Sequence, residues 1–388
     1  MNVSSRVQNV TASLTLAITA KAKKMKQDGV DVIGFGSGEP DFDTPPNIKK
    51  AAVDSIDKGF TKYTPATGMD SLKEEICKKF ERDNNLSYKS SDVVVSCGAK
   101  HSLYNIFQVI CDRGDEVIIP SPYWLSYPEM VRLAEGTPVF LETSQADKFK
   151  ISIDNLKKAV TKKTKALILN SPSNPTGCLY GEKELRLIAE VALEYGFLVI
   201  SDEIYEKIIF ENKKYTSIAS LNKDIFSNTI VVNGVSKSFS MTGWRIGFLA
   251  SPDNKIISCI KNLQSHSTSN PTSISQVAAL EAIKGGDSFV EEMVREFATR
   301  RDFIVDRINS IDGLSCVKPE GAFYVFCSID KKGLDSMVLA QRLLDEAKVA
   351  VVPGKAFGSD RHIRLSFATS MDNIKNGMDR IEEWFERL

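Results

Sequence analysis

The sequence predicts an α/β protein: a large domain with a mostly parallel sheet between helices, plus a smaller α+β domain. Two observations carry that prediction. Short apolar runs alternate with amphipathic stretches through most of the 388 residues, the rhythm of strand, loop, helix and strand. The tail then changes character. GAFYVFC (321–327), VAVV (349–352) and HIRLSFA (362–368) are strand-like and are separated by charged helices such as DSMVLAQRLLDEA (335–347).

The elements follow in order. VVV (93–95) precedes a helical stretch, HSLYNIFQVI (101–110). EVII (116–119) leads into PSPYW, and ALIL (166–169) into NSPSNPTG. In ELRLIAEVALEYG (184–196) the apolar positions 185, 188, 189 and 192 keep helical spacing, and Gly196 is suited to ending the helix. FLVI (197–200) follows at once and ends in SDE; TIVV (229–232) and RIGFLA (245–250) complete the series. With no internal repeat or low-complexity linker, the expected division is 1–40 as an N-terminal segment joined to the small domain, 41–288 as the large domain and 289–388 as the small one.

Composition narrows the function. Lysine plus arginine equals aspartate plus glutamate at 50 each, so no net charge draws the chain to nucleic acid or an anionic membrane. Seven cysteines (77, 97, 111, 178, 259, 316, 327) are scattered without a C-x-x-C pair, which fits a reducing cytoplasm rather than a disulfide framework or a zinc site. Three histidines, at 101, 266 and 362, stand too far apart in sequence for a histidine metal centre. MNVSSRVQNVTASLTLAITAKAKKMK lacks a sustained apolar core and reads as neither signal peptide nor membrane span. Small-molecule chemistry remains.

In open parallel sheets ligands bind beyond the carboxyl ends of the strands. Here those ends carry SCGAK, a glycine turn opening a helix whose free N–H groups suit a phosphate; Asn174 in NSPSNPTG; Asp202 with Tyr205 three residues on; and Lys237, followed by Arg245 at the start of the next strand. Singly, each has a bland reading: a turn, a β-turn signal, a helix cap, a solvated lysine. Together at one sheet edge they describe a chemistry. A lysine amine is nucleophilic only when neutral, so it must be desolvated or crowded by cations. An aldehyde cofactor with a phosphate would join that lysine as a Schiff base, and a buried carboxylate would keep its ring nitrogen protonated. That cofactor is pyridoxal 5′-phosphate.

The ordered motifs resemble one family nearly end to end: the class I aminotransferases of the fold-type-I pyridoxal-phosphate superfamily, nearest to the bacterial aspartate aminotransferase branch. They are SSRVQNV, GEPDFDTP (38–45), KYTPATG (62–68), SPYWLSYPEM (121–130), NSPSNPTG, SDEIYE (201–206), SKSFSMTGWRIG (236–247), GAFYVF and IRLSFA. The resemblance implies that Lys237 holds the cofactor and later moves the substrate proton, while Asp202 pairs with the ring nitrogen. It implies that Asn174 and Tyr205 bond the phenolic oxygen and that Trp124 stacks on the ring. Arg245 and the amides of Ala99 and Lys100 are expected to hold the phosphate. Tyr63 is expected to reach the neighbouring subunit's phosphate, which implies a homodimer with shared sites. Arg364 is expected to grip the α-carboxylate through two parallel bonds, with a backbone contact from Gly38.

For the substrate side chain, Lys100, Ser13 and Thr15 match the branch's positions for a second carboxylate. The implied reaction moves an amino group between L-aspartate and 2-oxoglutarate. The alternatives are an aromatic or prephenate aminotransferase, or a carbon–sulfur lyase on the same fold. Thr11 stands where relatives that aminate prephenate carry a basic residue, so strong prephenate activity is not expected. Gly234 stands three before Lys237, where other branches carry a phosphate-binding serine, which leaves the phosphate more dependent on Arg245 and backbone amides. A non-catalytic sensor of this fold would need an added DNA-binding segment, for which the chain has neither length nor charge.

Overall fold

A computed structural model describes residues 3–8, 10–11, 14–330 and 334–388 of the chain. After a two-residue strand, β1 (Ile33–Gly34), come the strands of the main sheet: β2 (Val93–Ser96), β3 (Glu116–Ser121), β4 (Thr137–Glu142), β5 (Thr164–Asn170), β6 (Leu198–Asp202), β7 (Thr229–Gly234) and β8 (Gly247–Ala250). Their order is β2-β8-β7-β6-β5-β3-β4. Neighbours are parallel throughout, except that β8 runs antiparallel to both β2 and β7. The mostly parallel sheet is therefore present, with two differences from the sequence reading. Edge strand β4 (TPVFLE), which the sequence reading passed over, buries only Leu141 and leaves Phe140 exposed. Arg245 does not begin a strand: it occupies a left-handed turn (φ 56°) after the 3-10 turn Thr242–Trp244, and β8 starts two residues later.

The central strands are apolar on both sides because both faces are covered. All six residues of β7 are buried. Ile230 and Val232 pack with Leu103, Phe107 and Ile257 from the helices Ala99–Ile110 and Asn254–Ser267. Val231, on the opposite face, joins a second cluster with Val95 and Phe248. The helix Glu182–Tyr195 covers β5 and β6 through Leu185, Ile188 and Ala192. Its start is fixed by the Glu184 carboxylate accepting the Gly181 N–H at 2.7 Å, and its end by Gly196 at φ 73°, a conformation that favours glycine.

The C-terminal strands are β9 (Leu314–Cys316), β10 (Tyr324–Ile329), β11 (Val349–Ala350), β12 (Val352–Pro353) and β13 (His362–Ser366). Four of them form an antiparallel sheet in the order β12-β13-β10-β9, while β11 pairs in parallel with β1. VAVV thus serves two sheets, and the N-terminal segment is stitched to the C-terminal part. One apolar cluster runs from Ile33 and Phe35 through Val349 and Phe385 to Val95 and Phe248, so the two large sheets share a core.

Candidate active site

Strands β2 to β7 point the same way and β8 returns, so the carboxyl ends of β2, β5, β6 and β7 meet the start of β8 at one edge. A cavity opens there. Asn174 enters it from beyond β5, Asp202 and Tyr205 from the end of β6, and Lys237 and Arg245 from the connection between β7 and β8. Ala99 and Lys100 contribute the first turn of the helix after β2, and Trp124 the loop after β3. Arg364 reaches in from β13, and Gly38 from the loop after β1.

Lys237 is half-buried, and its ammonium donates to the Gly38 carbonyl. Burial lowers its pKa from 10.5 to about 8; Glu39 opposes that shift, and the Arg364 and Arg245 charges reinforce it. A lysine at that value is neutral in about a tenth of molecules at pH 7 and about half near pH 8, far more than an ordinary lysine offers a nucleophile or base. Asp202 is 4% exposed, yet its partners are neutral: the Tyr127 hydroxyl donates to Oδ2 at 2.6 Å and the Ile204 N–H to Oδ1 at 3.3 Å. Burial raises this carboxyl to about 6 against the pull of those donors and of Lys237. A carboxylate buried this deeply is matched by a cationic N–H arriving from the cavity.

The helix Ala99–Ile110 and the turn before β8 approach with backbone against backbone. A Cβ on Gly247 would lie 2.1 Å from the Ala99 nitrogen, and one on Gly98 would lie 2.4 Å from Arg245 Nη2. Only glycine permits this closeness, and it brings the Arg245 guanidinium over the open N–H groups of the helix. Arg245 spends its own donors on backbone oxygens, Thr242 at 2.8 Å and Cys97 at 3.4 Å. Lys100 Nζ lies 4.8 Å from the Trp124 ring centre, and burial together with the Arg245 charge lowers its pKa.

Arg364 is 2% exposed and lacks a counter-ion among its polar contacts. Nη1 donates to Asn174 Oδ1 and Nη2 to the Gly36 carbonyl, each at 3.0 Å, and buried Nε has no partner among the described residues. A buried guanidinium with only neutral acceptors is a receptor for an anion.

Some predicted residues lie elsewhere. Tyr63 is 90% exposed and does not line this cavity. Ser13 and the Thr15 side chain lie outside the described residues. Thr11 lies close by the helix Ser126–Leu133, its N–H donating to Glu129 at 3.1 Å. Gly234 pairs with Gly247, and a Cβ there would be 3.0 Å from the Gly247 Cα, so the missing serine has a steric reason. Among the cavity residues without a sequence-level role are Tyr127 and Tyr324. Both fall within motifs quoted above, and the signal was available: a tyrosine inside an apolar run needs a hydroxyl partner once buried.

The family model for aminotransferase class I and II matches residues 30–381. The chain is 52% identical to the aspartate aminotransferase of Bacillus subtilis over the full length of both chains. The structure of the aspartate aminotransferase from Rhizobium meliloti superposes with a TM-score of 0.96 at 40% identity, covering all of both chains. That of the Thermus thermophilus aspartate aminotransferase with maleate does so at 0.95 and 41%, covering 99% of each.

Proposed function

The chain belongs to the aminotransferase class I and II family, and on that footing we propose that it moves an amino group between L-aspartate and 2-oxoglutarate, giving oxaloacetate and L-glutamate. Enzymes of this family use pyridoxal 5′-phosphate, and the residues present fit it. Asp202 is a buried carboxylate whose hydrogen-bond donors are both neutral, and the Gly98–Gly247 approach leaves a cradle under Arg245 that a Cβ would fill. When bound, the cofactor supplies an aldehyde for the substrate amine and a ring that takes up electrons from the substrate Cα.

The chain's own residues do the rest. Lys237 would hold the aldehyde, and its amine, when free, would carry the proton between the substrate Cα and the cofactor's aldehyde carbon. Asp202 keeps the ring nitrogen protonated, with Tyr127 fixing Oδ2. Asn174 and Tyr205 would bond the phenolic oxygen, Trp124 would stack on the ring, and Arg245 with the amides of Ala99 and Lys100 would hold the phosphate. Arg364 orients the α-carboxylate, and Gly38 borders the same space.

The observation that carries the dicarboxylate reading is a cation in the cavity beyond Lys237, Arg245 and Arg364: the charge acting on Lys100 is that of Arg245, with no carboxylate beside it among the described residues. Maleate, present with the Thermus relative, is itself a dicarboxylate. Ser13 and Thr15 complete this reading as hydroxyl donors to the side-chain carboxylate. Replacing Lys100 with alanine raises KM for aspartate roughly tenfold or more, the worth of a charge-assisted bond, and moves aromatic donors under threefold. Equal changes for both remove the basis for aspartate.

The assembly we propose is a homodimer with shared sites. Its support is apolar surface on and just after the helix Pro46–Asp57, with Val53 at 54%, Ile56 at 50% and Phe60 at 38% exposure, followed by Tyr63 at 90%. No helix among the described residues is long and apolar enough to cross a membrane. The scattered cysteines support a cytoplasmic location.

A further inference from the structure

We propose that Tyr324 is a positioning residue that couples the grip on the substrate α-carboxylate to the hydroxyl facing the cofactor's phenolic oxygen. The inference rests on the roles of Arg364 and Tyr205 given above. Tyr324 is fully buried on β10. Phe326, two residues on, is the register partner of Arg364, so Tyr324 and Arg364 are diagonal neighbours on one sheet face. The Arg364 guanidinium carbon lies 4.4 Å from the Tyr324 ring centre and 5.0 Å from that of Phe357. Those rings flank a guanidinium whose donors run to Asn174 and Gly36, and together they fix its orientation. At its other end, the Tyr324 hydroxyl lies 2.9 Å from that of Tyr205, with the rings edge-on at 81°.

By distance either hydroxyl can donate, and the role of Tyr205 sets the direction. Burial raises the pKa of both phenols, so each keeps its one proton near neutral pH. If Tyr205 donates its proton toward the cavity, its oxygen must accept, and Tyr324 must be the donor between them. Such a relay polarises the Tyr205 O–H and strengthens its outward bond. Tyr324 therefore acts twice, through its ring on Arg364 and through its hydroxyl on Tyr205, and substitution separates the two.

The experiment uses holoenzyme and reads the pH titration of the bound cofactor's visible absorbance alongside steady-state kinetics. A donor at the phenolic oxygen favours its ionised form and holds the titration midpoint down. Tyr324→Phe, which keeps the ring, raises the midpoint by on the order of half a pH unit. It lowers kcat several-fold while KM for amino donors stays within about twofold. Tyr324→Leu also removes the ring and raises KM about tenfold for aspartate and phenylalanine alike, because both present the same α-carboxylate. Tyr205→Phe serves as the reference. If it shifts the midpoint and Tyr324→Phe does not, the relay is overturned while the reading of Tyr205 stands. If neither shifts it, both fall. A KM rise confined to aspartate in Tyr324→Leu overturns the link to Arg364. Should that variant fail to fold, the Tyr324→Phe titration alone decides the relay.

Discussion

Arg301 and Arg364 are the same side chain at the same burial, each 2% exposed, and the chain holds them in opposite ways. Arg301 has carboxylates on hand: Nη2 lies 2.6 Å from Asp302 and 3.1 Å from Glu211. Its Nη1 donates to the Pro319 carbonyl, and its guanidinium lies 4.5 Å from the Phe210 ring centre. Arg364 bonds only neutral oxygens and leaves Nε unpartnered. Two lysines repeat the contrast. Lys79 is paired with Glu206 and donates to Asn84 at 2.6 Å, whereas Lys237 has the carbonyl of Gly38. Desolvating a cation is costly, and a nearby carboxylate offsets much of that cost. Where the carboxylate is missing, the cost is tolerated because a ligand brings the anion.

The strongest way to test this contrast is Arg364→Leu. For every amino donor kcat/KM should fall roughly a thousandfold, about 4 kcal/mol, as expected for losing a buried charge-assisted partner. Stability of the cofactor-free protein should hold or rise, since an apolar side chain replaces an unpaired buried charge. Urea unfolding checks it. A loss of 2 kcal/mol or more would make Arg364 a structural arginine like the other and dissolve the comparison.

Asp202 offers the acidic counterpart, and here the effect depends on pH. In the cofactor-free fold its carboxyl titrates at about 6 rather than 3.8. Below 3.8 it is protonated both folded and unfolded. Between 3.8 and 6 the unfolded chain releases the proton while the folded one retains it, so stability falls as pH rises through that window. Above 6 the accumulated cost, from about 2.2 units (6 − 3.8), is about 3 kcal/mol. Asp202→Asn lacks that titration. Its stability advantage over wild type in the cofactor-free form should therefore grow from pH 4.5 to pH 7.5. With cofactor bound the order should reverse, because a protonated ring nitrogen supplies the missing cation. Parallel pH profiles in the cofactor-free proteins would show that Asp202 is not held at a raised pKa.

How much of this was legible in the sequence follows from which interactions are local. β5, β6 and β7 were readable because strands covered on both faces become unbroken apolar runs, and the polar residues that follow them mark the site. β4 was not, because its pattern (TPVFLE) is that of an edge. The division of VAVV between two sheets depends on partners more than 300 and about 10 residues away, β1 and β13, which no local pattern announces. Lys237, Asp202 and Arg364 were found through motifs. That Tyr127 holds Asp202 and that Tyr324 joins Arg364 to Tyr205 depended on distances across separate strands and helices. That Arg301 is paired while Arg364 is not was visible only in part: Asp302 adjoins Arg301 in TRRDF, whereas Glu211 lies 90 residues away and Arg364 stands in the apolar run HIRLSFA.

The smallest predicted effect, Arg301→Leu, tests the paired side of the comparison. The loss of stability should be about 2 kcal/mol, below the roughly 3–5 kcal/mol of a broken buried pair, for a reason specific to its partners. Glu211 and Asp302 are half-exposed, and both also contact Lys318, at 2.8 and 3.1 Å, so neither is left as a stranded anion. What disappears is the stacking on Phe210 and the bond to Pro319. Activity per folded molecule should stay within about threefold, the span of a surface-level perturbation. One route leads from Arg301 toward the site: Pro319 packs where a Cβ on Gly177 would stand, 2.5 Å away, and Gly177 lies three residues beyond Asn174. If activity drops more than threefold while stability is intact, that route transmits, and an arginine with carboxylates beside it shapes the site as directly as one without.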